Sequence, residues 1–117
     1  MKTALVTGAA RGIGLATTKQ FLSKDWHVVM VDRDEEALTA EAAQLRDVTA
    51  VTCDVSLPDQ VAGVAKRFDR VNALVNNAGV ADFGPIEETS FSRWRTVMET
   101  NLDGVFMMTQ ALTPALT

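Results

Sequence analysis

The sequence predicts an α/β domain built on a doubly wound parallel sheet, incomplete, with about four strands and flanking helices. Two observations lead there. Four short apolar runs punctuate the 117 residues: Ala4–Val6, Val28–Val31, Val48–Val51 and Ala73–Val75. They are continuous rather than alternating, the pattern of strands covered on both faces. The spacers between them are long enough for the crossover that parallel pairing requires, and each carries apolar residues at helical spacing.

The elements follow in order. The first spacer, from Gly12 to about Lys24, carries Ile13, Ala16, Phe21 and Leu22. The second, from about Asp34 to Arg46, puts Leu38, Ala42 and Leu45 on one helical face, and its acidic start suits a helix N-terminus. The third opens Ser56-Leu57-Pro58-Asp59. Ser56 reads as its N-cap, Pro58 as a first-turn residue and Asp59 as the partner in a capping-box-like pair. Val61, Val64, Ala65 and Phe68 then recur at helical spacing. The order βαβαβαβ implies right-handed crossovers. After Val75 come the turn Asn76-Asn77-Ala78-Gly79 and a loop with Gly84-Pro85. Ser90 can cap a helix containing Phe91, Trp94, Val97 and Met98. A last helix carries Val105, Met108, Thr109, Leu112 and Leu116, with a kink expected at Pro114. In an alternating fold that helix should hand over to a fifth strand beside Ala73–Val75. Without one, a hydrophobic strand is left as an open edge, which recruits other chains. The expectation is a chain that lacks its continuation, or one completed by another chain or by a second copy of itself.

Composition narrows the function. Hydrophobic residues make up 47% and charged residues 22%, too apolar for disorder. No apolar run approaches the ~20 residues of a membrane span. A net charge of −4 argues against a nucleic-acid or anionic-membrane binder. The single Cys53 excludes an intrachain disulfide and, with one His, most zinc chemistry. The start shows no basic segment leading into a long apolar one, so a cytoplasmic location is expected. Cys53, His27, Trp26 and Trp94 read as packing residues.

The first apolar run ends in Thr7-Gly8-Ala9-Ala10-Arg11-Gly12-Ile13-Gly14. Gly8 permits a tight turn, Gly12 a close approach of backbone to a pyrophosphate, and Gly14 close packing of helix on sheet. Free N–H groups at the helix start favour phosphate, and Arg11 adds positive charge. An acid closes the second run: Asp32, placed to accept from the adenosine-ribose hydroxyls of a dinucleotide. Read more plainly, Asp32 is a turn acid or helix cap. Its carboxylate repels a 2′-phosphate, whereas Arg11 and Arg33 attract one. The balance favours NAD over NADP.

With these motifs in place the sequence resembles the short-chain dehydrogenase/reductase family over its whole length. The glycine-rich turn, Asp54-Val55, Asn76-Asn77-Ala78-Gly79 and Asn101-Leu102-x-Gly104 carry the match, in order and in spacing. The resemblance implies a Rossmann-type fold and a role for each position. Asp54 would bond the adenine amino group, with the Val55 backbone beside it. Asn77, Ala78 and Gly79 would line the ribose, and Asn76 would tether neighbouring strands. Ile13 would sit near the pyrophosphate and the nicotinamide side. Asn101, as a catalytic residue, would hold a water of a proton relay by disturbing its helix.

In the family a Tyr exchanges the proton, a Lys four residues later lowers its pKa, and a Ser orients an alcohol or carbonyl substrate. Free Tyr has a pKa near 10, so that activation is needed. This sequence contains no Tyr. Two readings follow: the dinucleotide-binding half (residues 1–117) of an NAD-dependent oxidoreductase, inactive alone, or a stand-alone non-catalytic nucleotide-binding or interaction module. The retained Asn101 favours the first.

Overall fold

The computed structural model describes residues 1–117. Four strands, β1 (Thr3–Thr7), β2 (His27–Asp32), β3 (Val48–Thr52) and β4 (Ala73–Val75), form one parallel sheet in the order β3-β2-β1-β4. Helices α1 (Gly12–Ser23), α2 (Glu35–Ala42) and α3 (Pro58–Arg67) make the crossovers. After β4 come a 3₁₀ turn at Ile86–Glu88, then α4 (Phe91–Met98), a π-helical turn at Glu99–Asp103 and α5 (Gly104–Leu112). The predicted fold class is the observed one. No helix is long and apolar enough to cross a membrane.

Alternation along the strands explains why the apolar runs are continuous. Leu5, Val29, Val31 and Val51 point to one face and pack with Val61 and Val64 of α3 and Met108 and Leu112 of α5. Val6, Val28 and Met30 point to the other and pack with Leu38 of α2, flanked by Leu15, Phe21 and Leu22 of α1. These apolar residues of β1 and β2 therefore meet a helix whichever way they point. β3 departs from that pattern. It lies at the sheet edge, and of Val48–Val51 only Val51 is buried.

Several local expectations are corrected. α2 ends at Ala42 rather than Arg46, because Gln44 and Leu45 close tighter bonds to the carbonyls of Glu41 and Ala42, at 3.1 Å each. Leu45 still packs against the core from beyond the helix. Ser56 does not cap α3. Its N–H and hydroxyl both donate to Asp54 Oδ1, at 2.9 and 2.7 Å, so Leu57 is the cap residue and Asp59 makes no capping bond. Ser90 does cap α4, accepting from Arg93 N–H at 3.1 Å. Pro114 kinks nothing: α5 ends at Leu112 and Pro114 lies in the turn beyond it.

Beyond that turn no fifth strand lies beside Ala73–Val75, and the chain makes one isolated bridge just before β4 instead. Leu116 forms a parallel bridge with Val71, through Val71 N–H to Ala115 O at 2.9 Å and Thr117 N–H to Val71 O at 3.2 Å. The next residue, Asn72, turns its N–H the other way, to Thr3 of β1. The bridge thus occupies the side of the β4 segment away from β1, while Ala73–Val75 stay half-buried.

Two glycines make contrasting tests of packing. A Cβ on Gly14 would lie 2.0 Å from Gly8 O and 2.6 Å from Asn77 Nδ2, whereas one on Gly63 of α3 meets nothing within 4 Å. Gly14→Ala is expected to lower stability by about 3 kcal/mol or more, and Gly63→Ala to raise it by about 0.5–1 kcal/mol through helix propensity. Urea unfolding of the two variants checks both signs.

Candidate functional site

The strand order reverses between β1 and β4, and the crossovers leave from opposite faces there. A crevice opens at the carboxyl ends of the strands, the place where doubly wound sheets bind ligands. It is an open cleft of about 250 Å³. Gly8 and Arg11 come to it from the β1–α1 loop, and Asp32 and Arg33 from the end of β2. Asp54 and Val55 come from the loop after β3, and Asn77, Ala78 and Gly79 from the loop after β4. Nine of the residues singled out from the sequence thus share one surface. Cys53, Val80 and Thr100 line it as well and were not foreseen.

The wall between β1 and β4 is held by Thr7, buried at the end of β1. Its Oγ1 accepts from Asn77 N–H at 3.0 Å and from Ala78 N–H at 2.9 Å. Asn77 Nδ2 returns a bond to Gly8 O at 3.2 Å. Gly8 is at φ +65°, and a Cβ there would lie 2.9 Å from both Ala78 Cα and Asn77 Nδ2. Any side chain would both strain the backbone and break the contact. The strand tether expected of Asn76 is therefore made by Thr7 and Asn77. Asn76 Nδ2 instead donates to Thr109 of α5 at 3.1 Å.

The glycine-rich turn opens α1 without a side-chain cap. Intrahelical bonding starts with Leu15 N–H to Arg11 O at 3.2 Å, so the N–H groups of Gly12, Ile13 and Gly14 have no helical acceptor. Gly12 has φ +57°, and a Cβ there would meet open space. Unpaired donors, a helix dipole and an uncluttered backbone are the donor set a pyrophosphate needs. Gly12, Ile13 and Gly14 do not line the cleft itself. The Ile13 side chain is 78% exposed and faces a shallow groove with Ala16, Phe21 and Trp26, so only its backbone is placed for phosphate.

Asp32 is buried and already braced. Its Oδ2 accepts from Ala10 N–H and its Oδ1 from Asp34 N–H, both at 3.0 Å. A carboxylate offers about four lone-pair sites, so two remain free to accept from a ligand. Asp34 is a residue whose part the sequence did not disclose beyond a helix start. Its Oδ1 caps α2 through Ala37 N–H at 3.1 Å, and its Oδ2 receives the Arg11 guanidinium. The Ala37 N–H and then Arg11 hold its carboxyl below the usual range, and Asp34 in turn raises Arg11.

Asp54 Oδ1 is taken by Ser56, while Asp54 N–H donates to Gln60 Oε1 at 2.7 Å. Asp54 lines the cleft, and its Oδ2 has no protein partner. A Cβ on Gly104 would lie 2.7 Å from Val55 Cγ2, so α5 begins hard against this loop. Cys53, next to Asp54, is buried. Burial, and then the Asp54 charge, push its thiol up to about 11.

Asn101 stands in the π-helical turn, where the helix is indeed disturbed. Its side chain does not line the cleft. It pairs twice with the backbone of Val80, Oδ1 accepting from N–H and Nδ2 donating to O, both at 2.8 Å. Near it, Arg93 forks onto both carboxylate oxygens of Asp82, which holds that carboxyl below its usual range.

Residues 2–117 match the family model described as short chain dehydrogenase. The chain belongs to the short-chain dehydrogenase family. Among curated relatives of this short-chain dehydrogenase chain, D-threitol dehydrogenase of Mycolicibacterium smegmatis is 40% identical over 119 residues, covering 95% of this chain and 46% of the relative. The solved structure of a short chain dehydrogenase/reductase from Burkholderia phymatum in complex with NAD aligns with a TM-score of 0.93 at 34% identity, over 98% of this chain and 44% of that one. A 3-ketoacyl-(acyl-carrier-protein) reductase from Brucella melitensis, complexed with NADH, gives 0.92 at 32% identity, over 97% and 49%. The chain thus spans about half the length of the relatives it matches.

The short-chain dehydrogenase cleft makes two predictions. Thr7→Val keeps the shape but removes the shared acceptor: Asn77 N–H retains Val75 O at 3.1 Å, whereas Ala78 N–H is left without a partner, at a cost of about 1–3 kcal/mol; a fall in the urea midpoint is expected. With its pKa raised, Cys53 stays a protonated thiol at pH 8. Its alkylation by iodoacetamide should run at least about 100-fold slower in the folded chain than in the urea-unfolded one, where a free thiol titrates near 8.5.

Proposed function

We propose that residues 1–117 are the NAD-binding half of a short-chain oxidoreductase that moves hydride between nicotinamide and an alcohol or carbonyl carbon. The observation that carries this reading is the join of two features: the uncapped start of α1, entered from the cleft-lining turn residues Gly8 and Arg11, and the braced Asp32 that lines the same cleft. The first suits a pyrophosphate and the second suits ribose hydroxyls. The relatives solved with NAD or NADH support the same cofactor.

In this reading the N–H groups of Gly12, Ile13 and Gly14 hold the pyrophosphate, Asp32 the adenosine ribose and Asp54 Oδ2 the adenine amino group. Asn77, Ala78 and Gly79 face the ribose nearer the nicotinamide. Arg11 and Arg33 border the adenosine end. NAD is preferred to NADP because the Asp32 carboxylate opposes a phosphate of nearly two negative charges. Asn101 serves a proton relay through the backbone of its π turn, since its side chain is committed to Val80. When bound, the nicotinamide supplies the hydride chemistry. The family's Tyr proton donor has no counterpart in these residues, so binding and turnover separate: these residues bind dinucleotide and do not turn substrate over by themselves.

NADH fluorescence titration tests the reading. Saturable binding is expected, weakened about tenfold or more in Asp32→Ala; no binding at millimolar NADH overturns the assignment. Alcohol-dependent NADH formation by the chain, with its mass verified, would overturn the separation of binding from turnover.

A further inference from the structure

The bond between Arg11 and Asp34 points beyond general dinucleotide recognition. Arg11 belongs to the glycine-rich turn and lines the cleft, and its partner Asp34 lies in the loop after β2, two residues beyond Asp32. Asp34 is held independently of Arg11. Its N–H is anchored on Asp32 Oδ1 at 3.0 Å, and its Oδ1 is anchored on Ala37 N–H at 3.1 Å. Its other oxygen is thereby aimed at the guanidinium. Both side chains are exposed, at 67% and 40%, so the ion pair itself adds little stability.

We infer that Asp34 is a specificity-determining residue that selects against a 2′-phosphorylated dinucleotide by detaining Arg11. The inference rests on the dinucleotide reading and refines it. The carboxylate that receives the adenosine ribose also marks where a 2′-phosphate would sit, and a nearby arginine is what accommodates such a phosphate. Arg11 and Arg33 both border that place, each with a planar fork suited to phosphate oxygens, and Arg11 is the one whose guanidinium is engaged by a carboxylate. While its guanidinium is on Asp34, a phosphate must either compete with a prepositioned carboxylate or settle beside it. The rim charges of Asp32, Asp34, Arg11 and Arg33 cancel, so a dianion meets no net attraction. Arg33, which makes no ion pair or hydrogen bond, does not tip that balance alone. Asp32 is thus one of two barriers, and Asp34 is the one that acts through another side chain.

The test replaces the charge while keeping the cap. Asp34→Asn and Asp34→Ser both retain a side-chain oxygen for Ala37 N–H, so α2 is expected to stay capped in both, which circular dichroism verifies. NADH and NADPH are titrated into the parent chain, both variants, and Asp34→Asn combined with Arg11→Ala. The expected result is a five- to tenfold tighter NADPH dissociation constant in either single variant, an NADH constant changed by less than about twofold, and loss of the NADPH gain when Arg11 is also removed. Unchanged NADPH affinity, an equal gain for both dinucleotides, or a gain that survives removal of Arg11 overturns the role of Asp34 while leaving the NAD site standing. Failure of the parent chain to bind NADH overturns both.

Discussion

The structure depends on one small stitch, the Thr7 hydroxyl shared by two backbone N–H groups of the β4 loop. It lies at the reversal of the strand order, where the paths of β1 and β4 diverge and a crevice is unavoidable. A crevice between two loops is only as well shaped as the loops are fixed. Thr7 fixes one side, Asn77 answers through Gly8 O, and Gly8 and Gly14 remove the side chains that would hold the parts apart. With any of these changed, the strands could still pair, but the cleft would lose its floor. A parallel sheet supplies the backbone ladder, and this side-chain network supplies the position.

A second network does for the other wall what the first does for the floor. Asp32 bonds the β1–α1 loop through Ala10 and the β2–α2 loop through Asp34, and Ala9 N–H adds a bond to Val31 O at 3.1 Å. One carboxylate therefore serves both architecture and recognition. A buried carboxylate is costly to hold unless its hydrogen bonds are made, and the bonds that satisfy it also draw two loops together. The same economy appears at Asn101, whose amide satisfies both backbone groups of Val80 and pins the loop after β4 against the π turn.

The fold was legible because burial on both faces writes itself into continuous apolar runs, and because glycines and acids recur where the backbone must turn. Ala4–Val6 and Val28–Val31 are clear for that reason, as are Gly8, Asp32 and Asn77. What the sequence concealed was competition between local bonds. Ser56 has the composition of a cap, but Asp54 offers it a nearer acceptor. Pro114 has the composition of a kink, but the helix has already ended. Val48–Val51 looks like a central strand because composition carries no information about which strand is outermost. The parts played by Thr7, Asp34 and Val80 were concealed because they arise from partners 21 to 71 positions away, as with Thr7 and Ala78.

The cleft draws on segments near residues 8, 32, 54, 78 and 100, with no two neighbouring segments closer than about twenty residues in sequence. No local stretch of chain contains even a rudimentary version of it. Loop closure must be completed several times over before the first ligand contact can exist, so the site is a product of the whole folded state rather than of any motif. Occupancy of the cleft is then a gauge of global folding. A ligand that binds there draws on every one of these closures, and its binding free energy is returned to the chain as stability.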